Sequence, residues 1–143
     1  LLVEPGRYLV ADAGLLLTKV LYRKQTSKRR FVIVDAAMTD LPRPALYNAW
    51  HPVQVVSPRR GKKTMADIVG PVCESGDFLA RQRKLPPLER GDLLAVLKAG
   101  AYGFAMSSQY NSRPRAAEVL GAGGKVRLAR RRETHKDLTR GEL

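Results

Sequence analysis

Along this chain of 143 residues the apolar positions come in short runs, each broken by glycine, proline or a cluster of charge. Phe31-Val32-Ile33-Val34 is a strongly β-prone run, and Leu15 to Gln25 is apolar and then mixed. The basic turn between them predicts a hairpin. His51 to Ser57 alternates loosely, Ala66 to Val72 is apolar, and Leu93 to Leu97 has the texture of a buried strand. Ala117 to Leu120 and Lys125 to Arg130 flank a glycine-rich turn, with Val126 and Leu128 alternating with charge, which predicts a second hairpin. Many short strands punctuated by glycine and proline predict a mainly β domain, a sandwich or a barrel.

Helical signals are fewer. Tyr8 to Leu17 mixes Leu, Val and Ala without alternation and reads as a short helix. With Leu1-Leu2-Val3 as a strand and Glu4-Pro5-Gly6-Arg7 as a turn, it predicts one strand–turn–helix unit of an α/β fold. Asp40 is the expected N-cap of a helix running to Tyr47, with Pro42 and Pro44 confined to its first turn. Thr134 and Asp137 form the pattern of a capping box for a short closing helix.

Composition changes this picture little. An apolar fraction of 44% is enough for a packed core. No run approaches the roughly 18 apolar residues of a membrane span, and Leu1-Leu2-Val3 is too short for a signal peptide. The single cysteine excludes an internal disulfide framework and suits a reducing, cytoplasmic compartment. A first residue other than methionine, inside a strand-like run, points to the back part of a longer polypeptide. The net charge of +13 raises a nucleic-acid partner. However, Lys28-Arg29-Arg30 and Arg59-Arg60-Gly61-Lys62-Lys63 fall in turns between apolar segments, and no aromatic interleaves them or Arg130-Arg131-Arg132. The stacking platform of a single-strand binder is missing. No cysteine–histidine spacing suits a metal.

The densest chemistry lies in Gly70-Pro71-Val72-Cys73-Glu74-Ser75-Gly76-Asp77, a loop by its turn residues. A negative neighbour at Glu74 and any burial both favour a protonated thiol, which suits Cys73 to donate a proton. The alternative is a small buried hydrophobe. Arg43 and Tyr47, four apart, share a helix face and can grip a carboxylate, or simply face solvent. The backbone of Pro5-Gly6-Arg7 can hold a phosphate, or be an ordinary turn. Tyr110, in a polar loop after a glycine-rich stretch, suits a flat ligand or plain packing.

Glu4-Pro5-Gly6-Arg7, Val34-Asp35-Ala36-Ala37-Met38, Asp40 to Tyr47, Cys73 to Asp77, Gly100-Ala101-Tyr102-Gly103 and Tyr110-Asn111-Ser112-Arg113-Pro114 together resemble diaminopimelate decarboxylase, in family order and over almost the whole chain. The resemblance implies a pyridoxal 5'-phosphate enzyme of the alanine-racemase-like fold type. Residues 1–15 would be the last unit of the cofactor-binding β/α barrel and residues 16–143 the C-terminal β-domain. The implied reaction is decarboxylation of meso-2,6-diaminopimelate at its D-centre to L-lysine, in a head-to-tail homodimer with shared active sites. Glu4 would pair with the pyridinium nitrogen, Pro5, Gly6 and Arg7 would hold the cofactor, and Arg7 would also reach the substrate. Arg43 and Tyr47 would bind the distal carboxylate and Glu74 the distal ammonium. Tyr110 would lie against cofactor and substrate, and Cys73 would protonate the carbanion as general acid. The rest of the barrel and its Schiff-base lysine have no counterpart here, so the chain alone is expected to be inactive. The alternatives are a sister decarboxylase of arginine, ornithine or a carboxylated polyamine, a silent homologue, and a basic nucleic-acid-binding β-domain.

Overall fold

The structure, a computed structural model, describes residues 1–143. β1 (Leu15–Gln25), β2 (Arg30–Val34), β3 (Val53–Val55), β4 (Thr64–Val69), β5 (Phe78–Leu85) and β6 (Leu93–Leu97) form one six-stranded sheet in the order β3-β6-β1-β2-β4-β5. β1 is long enough to serve two partners. Its first half pairs antiparallel with β6, from Leu15 opposite Leu97 to Lys19 opposite Leu93. Its second half pairs antiparallel with β2, from Val20 opposite Val34 to Gln25 opposite Arg30, with the register slipping between Val20 and Tyr22. Such an irregularity bends a strand and increases its twist. The outer strands β3 and β5 come into contact, so the sheet curls into a nearly closed barrel. β2 and β4 are the one parallel pair, and the crossover between them carries α2 (Arg43–Tyr47).

Alternation along β1 puts Thr18 and Val20 inside and leaves Leu15 and Leu17 about half exposed outside. Leu41, Ile68, Leu79, Leu94, Val34 and Val96 complete the interior and are fully buried. Each such aliphatic side chain is worth about 1.5–3 kcal/mol of burial. Thr18 is the polar member of this layer. Its hydroxyl donates to Asp35 Oδ1 (2.7 Å) and accepts from the Ala36 amide (3.0 Å), which fixes how the chain leaves β2.

The mainly β expectation and both hairpins hold. β7 (Glu118–Ala122) and β8 (Lys125–Arg130) form a separate, solvent-exposed ribbon, and the Thr134–Asp137 capping box opens α3 (His135–Leu138). Several local expectations are corrected. Leu1–Val3 forms no strand, because no strand lies beside it to complete its hydrogen bonds. The helix expected from Tyr8 to Leu17 is only α1 (Arg7–Val10) and one 3-10 turn over Ala11–Ala13, because β6 captures Leu15 onward as a strand. Asp40 does not cap α2. Pro42 stands at the N-cap, and the Asp40 carboxylate accepts the Ala37 amide (2.9 Å) in the turn before it. The strand expected from Ala66 to Val72 stops at Val69, where the site loop takes over, and His51 lies outside β3. β5 has no strand signal in the sequence, because Ala80 to Lys84 is too rich in charge to show a strand period.

Candidate functional site

Three connections gather the residues singled out from the sequence, and each begins at a residue in or beside the barrel. The first starts where β4 ends. Gly70 to Asp77 makes a tight excursion closed by the Gly70 amide donating to the Asp77 carbonyl (3.2 Å). Asp77 is buried, and its carboxylate accepts from the Val72 amide inside the loop and the Met38 amide outside it, both at 2.7 Å. A Cβ at Gly70 would collide with that carboxylate and with Ala37, so only glycine fits there. Asp77 therefore locks the loop to the segment leading into α2. At its tip Cys73 and Glu74 are both exposed, so the thiol is not the buried group the sequence allowed for.

The second connection is the turn after the glycine-rich stretch. Tyr110–Ser112 form a kinked turn in which Asn111 (φ 61°) and Ser112 (φ 55°) are left-handed. Two successive non-glycine residues there cost about 1–3 kcal/mol each, so surrounding contacts must hold them. Arg113 supplies one contact, donating to the Asp35 carbonyl (2.7 Å) and lying 3.8 Å from the Asp40 carboxylate. Burial raises the Asp40 carboxyl above its ordinary value, while the Ala37 amide and the Arg113 charge pull it back down. Ser108 adds its amide to the Thr39 carbonyl (3.0 Å). The result is that the Tyr110 hydroxyl donates to Glu74 Oε2 at 3.4 Å, across 36 residues of sequence.

The third connection surrounds His51, which is fully buried. Its Nδ1 lies 2.9 Å from the Leu97 carbonyl, and Arg43 Nη1 lies 3.4 Å from its Nε2. Burial lowers the imidazole from its ordinary 6.5; the Leu97 carbonyl opposes this, and the charges of Arg43, Arg7 and Arg83 reinforce it. Arg7 thus belongs to the same basic group as Arg43, and its Nε is buried without a partner. The short segment bearing Arg7 is fastened by the Ala99 amide to Gly14 and the Gly100 amide to Ala11 (2.9 and 3.1 Å). Tyr102 covers it: a Cβ at Gly6 would sit 2.6 Å from the Tyr102 hydroxyl.

Of the residues predicted from the sequence, the structure therefore joins Glu74 with Tyr110 beside Cys73, and Arg7 with Arg43 around His51. The Cys73 loop lies beside α2, which carries Arg43: a Cβ at Gly76 would touch Ala45 at 3.9 Å. No hydrogen bond or ion pair within the chain links Glu4 or Tyr47 to either group, and Tyr47 is largely exposed. Sequence reasoning missed His51 and the structural role of Asp77. A histidine next to a tryptophan and a proline has no spacing that marks it, and its partners Arg43 and Leu97 are 8 and 46 residues away. Asp77 closed the site loop in the sequence, but nothing there showed that its carboxylate reaches Met38.

The arginine group and the Cys-Glu loop both lie in connections at the ends of the sheet's strands. Residues 7–100 match the family described as pyridoxal-dependent decarboxylase, C-terminal sheet domain. The chain belongs to this family. It is 59% identical over 142 residues to diaminopimelate decarboxylase of Pseudomonas aeruginosa, covering 99% of this chain and 34% of that protein. Two solved structures are similar. Diaminopimelate decarboxylase from Helicobacter pylori complexed with L-lysine has a TM-score of 0.89 and 50% identity, over 96% of this chain and 34% of that one. The enzyme from M. jannaschii in co-complex with L-lysine has a TM-score of 0.94 and 43% identity, over 98% of this chain and 32% of that one. The chain spans about a third of the length of the relatives it matches.

The donor set fits the family's cofactor class. A buried, unpartnered Arg7 Nε beside Gly6 suits a phosphate, and the exposed Glu4 carboxylate suits a protonated pyridine nitrogen.

Proposed function

We propose that this chain is the C-terminal part of a meso-2,6-diaminopimelate decarboxylase and supplies half of a composite active site. The observation that carries the reading is the Tyr110–Glu74 hydrogen bond, which draws the Cys73 loop and the Tyr110 turn into one surface. Residues 16–143 are the β-domain, and residues 1–15 belong with the barrel that carries the remaining machinery. The exposed side chains of Leu1, Leu2, Tyr8, Leu9 and Leu15 are suited to packing against that barrel.

In this reading pyridoxal phosphate is bound by Glu4, Pro5, Gly6 and Arg7 with Tyr110 alongside, and supplies an electron sink for the bond that breaks. Arg43 holds the distal carboxylate of the substrate with a charge-assisted hydrogen bond, and Tyr47 and Arg7 add to that grip. Glu74 holds the distal ammonium by charge. Together they measure the substrate's length and reject amines that lack an acidic distal centre. Cys73 donates its proton to the carbon from which carbon dioxide has left. Its exposed position at the loop tip suits delivery across a dimer interface into the partner's site.

The test is turnover by the full-length parent with pyridoxal phosphate and either meso-diaminopimelate or ornithine. Release of L-lysine and carbon dioxide from diaminopimelate, with ornithine at least about a hundredfold poorer, supports the reading; discrimination of that size needs only one lost charged hydrogen bond. Equal use of ornithine would reassign the chain to a sister decarboxylase. The isolated 143 residues should produce no lysine.

A further inference from the structure

We propose that His51 is a positioning residue for Arg43, the buried post from which that guanidinium is aimed at the distal carboxylate of the substrate. The inference rests on the reading of Arg43 given above, and it names the part of the fold that gives Arg43 its geometry.

The hydrogen-bond chemistry fixes the ring. The Leu97 carbonyl can only accept, so the Nδ1 at 2.9 Å from it must carry the proton. A guanidinium can only donate, so the Nε2 facing Arg43 Nη1 at 3.4 Å must be bare. Both partners are satisfied by one neutral tautomer. Burial and the three nearby arginines hold the imidazole in the neutral form. A protonated ring would turn an N–H toward Arg43 and push it away.

The post is rigid at both ends. The His51 carbonyl accepts from Arg83 Nη2 (3.2 Å), and the Arg83 guanidinium stacks over the Trp50 ring at 4.6 Å. β5 thus holds the His51 backbone while the end of β6, through Leu97, holds its ring. α2 is only five residues long, ends in the left-handed Asn48 (φ 50°), and has no side-chain cap at its start. So short a helix cannot by itself fix the long side chain at its first position. Arg43 uses one of its five N–H groups on His51 and keeps the others for a carboxylate. Ordering an arginine in advance reduces the rotamer entropy lost when the substrate binds. The expected signature is therefore in substrate binding rather than in the chemical step.

Two substitutions divide the ring's two contacts. His51→Asn places an amide where Nδ1 donates to Leu97 but has nothing to offer Arg43. His51→Gln reaches the Nε2 position and can accept from Arg43. In the full-length enzyme, His51→Asn is expected to raise KM for meso-diaminopimelate about three- to tenfold with kcat within about twofold, the range of one long hydrogen bond. His51→Gln is expected to return KM most of the way. Inhibition by D-lysine, which keeps the D-centre but lacks the distal carboxylate, should be unchanged in both. In an Arg43→Ala background, His51→Asn should have no further effect on KM.

Equal weakening of diaminopimelate and D-lysine, or no rescue by Gln, would overturn the proposal and leave His51 as a core residue. The underlying reading is judged separately by Arg43→Ala alone. If that change raises KM and His51→Asn does not, Arg43 binds substrate unaided; if Arg43→Ala leaves KM unchanged, the carboxylate reading and this inference fall together. Should His51→Asn fail to fold, the imidazole nitrogen-15 shifts carry the test. Nε2 must appear as the unprotonated nitrogen in the parent and move on Arg43→Ala, and a protonated Nε2 would sink the idea.

Discussion

The Arg43 side and the Cys73 side of the site are built on the same plan with opposite chemistry. On one, a buried neutral histidine holds a half-buried cation through a single long contact of 3.4 Å. On the other, a buried carboxylate, Asp77, holds a loop through two backbone amides at 2.7 Å. The difference lies in what is fixed. His51 orders one side chain on a helix that already exists, whereas Asp77 orders the backbone of a segment that has no regular structure without it. In both cases the residue at the surface is set by one beneath it, and the second is where the fold controls function. The two sides should therefore fail differently, one in substrate affinity and the other in loop order and proton delivery.

The largest expected effect is at the loop tip. Cys73→Ala in the full-length parent should lower kcat about 10²–10⁴-fold, the range for a lost general acid, while cofactor absorbance and KM stay near those of the parent. Stopped-flow absorbance and lysine release measure the two separately. Loss of cofactor together with turnover would make Cys73 a packing residue, and the contrast with the Arg43 side would disappear.

Next comes the support of that loop. Asp77→Ala leaves the part-buried Met38 amide and the buried Val72 amide without acceptors, which should cost about 2–4 kcal/mol. Asp77→Asn keeps one acceptor oxygen and should cost roughly half as much. Denaturant unfolding measures the stability, and the kcat of Asp77→Asn reports how far the loop tip depends on it. A variant as stable as the parent would show that the loop is held by other contacts.

How much of this was legible in the sequence follows from the same contrast. The strands were visible where β-branched runs repeat, as in Phe31–Val34, and the hairpins where turn residues separate them. The side chains proposed for the site are ones the sequence singles out, because Cys73, Glu74, Arg43 and Tyr110 sit in polar loops or at a helix start. The supports are not. His51 reads as the start of a strand because its bond to Leu97, 46 residues away, depends on how the chain folds back, and Asp40 reads as a helix cap because an aspartate that closes a local turn onto Ala37 has the same sequence signature. β5 was lost for a related reason. Arg81 and Arg83 break its apolar period, yet the Arg81 guanidinium stacks on Phe78 at 3.6 Å and Arg83 stacks on Trp50. Each of these charges lies over an aromatic ring, and only the tertiary structure shows it.

The Arg7 segment offers a third test, smaller because it perturbs packing alone. A Cβ on Gly100 would strike the Val10 carbonyl and the Gly14 amide, both backbone atoms that cannot swing aside. Gly100→Ala should cost about 1–3 kcal/mol of stability. It should also loosen Arg7 and Glu4, so cofactor affinity falls while the Cys73 loop keeps its hydrogen-exchange protection. Equal loosening of both regions would show that they form one cooperative unit.

The smallest effect reaches the site from the exposed tail. Glu133 Oε2 accepts from Gln109 Nε2 and from the Arg115 amide, both at 2.9 Å, and its other oxygen pairs with the Arg115 side chain at 2.7 Å. Arg115 and Arg130 in turn lie over the Phe104 ring at 5.1 and 4.4 Å, so the β7–β8 ribbon is clipped beside the turn that carries Tyr110. These bonds, the Arg115 side chain first and Gln109 next, lower Glu133 from its ordinary 4.5 to about 2. A carboxyl depressed in the folded state is protonated first in the unfolded chain. Its contribution is therefore fully present above 4.5 and is lost as pH falls from there through about 2. Amide exchange over residues 109–115 should accelerate across that window before the barrel strands respond. Glu133→Gln should reproduce the loosening at neutral pH and raise KM by no more than about fivefold, as befits an exposed pair. An exchange rate that follows the barrel strands instead would mean that Tyr110 is held by Arg113 and Ser108 alone, and that the tail has no part in ordering the site.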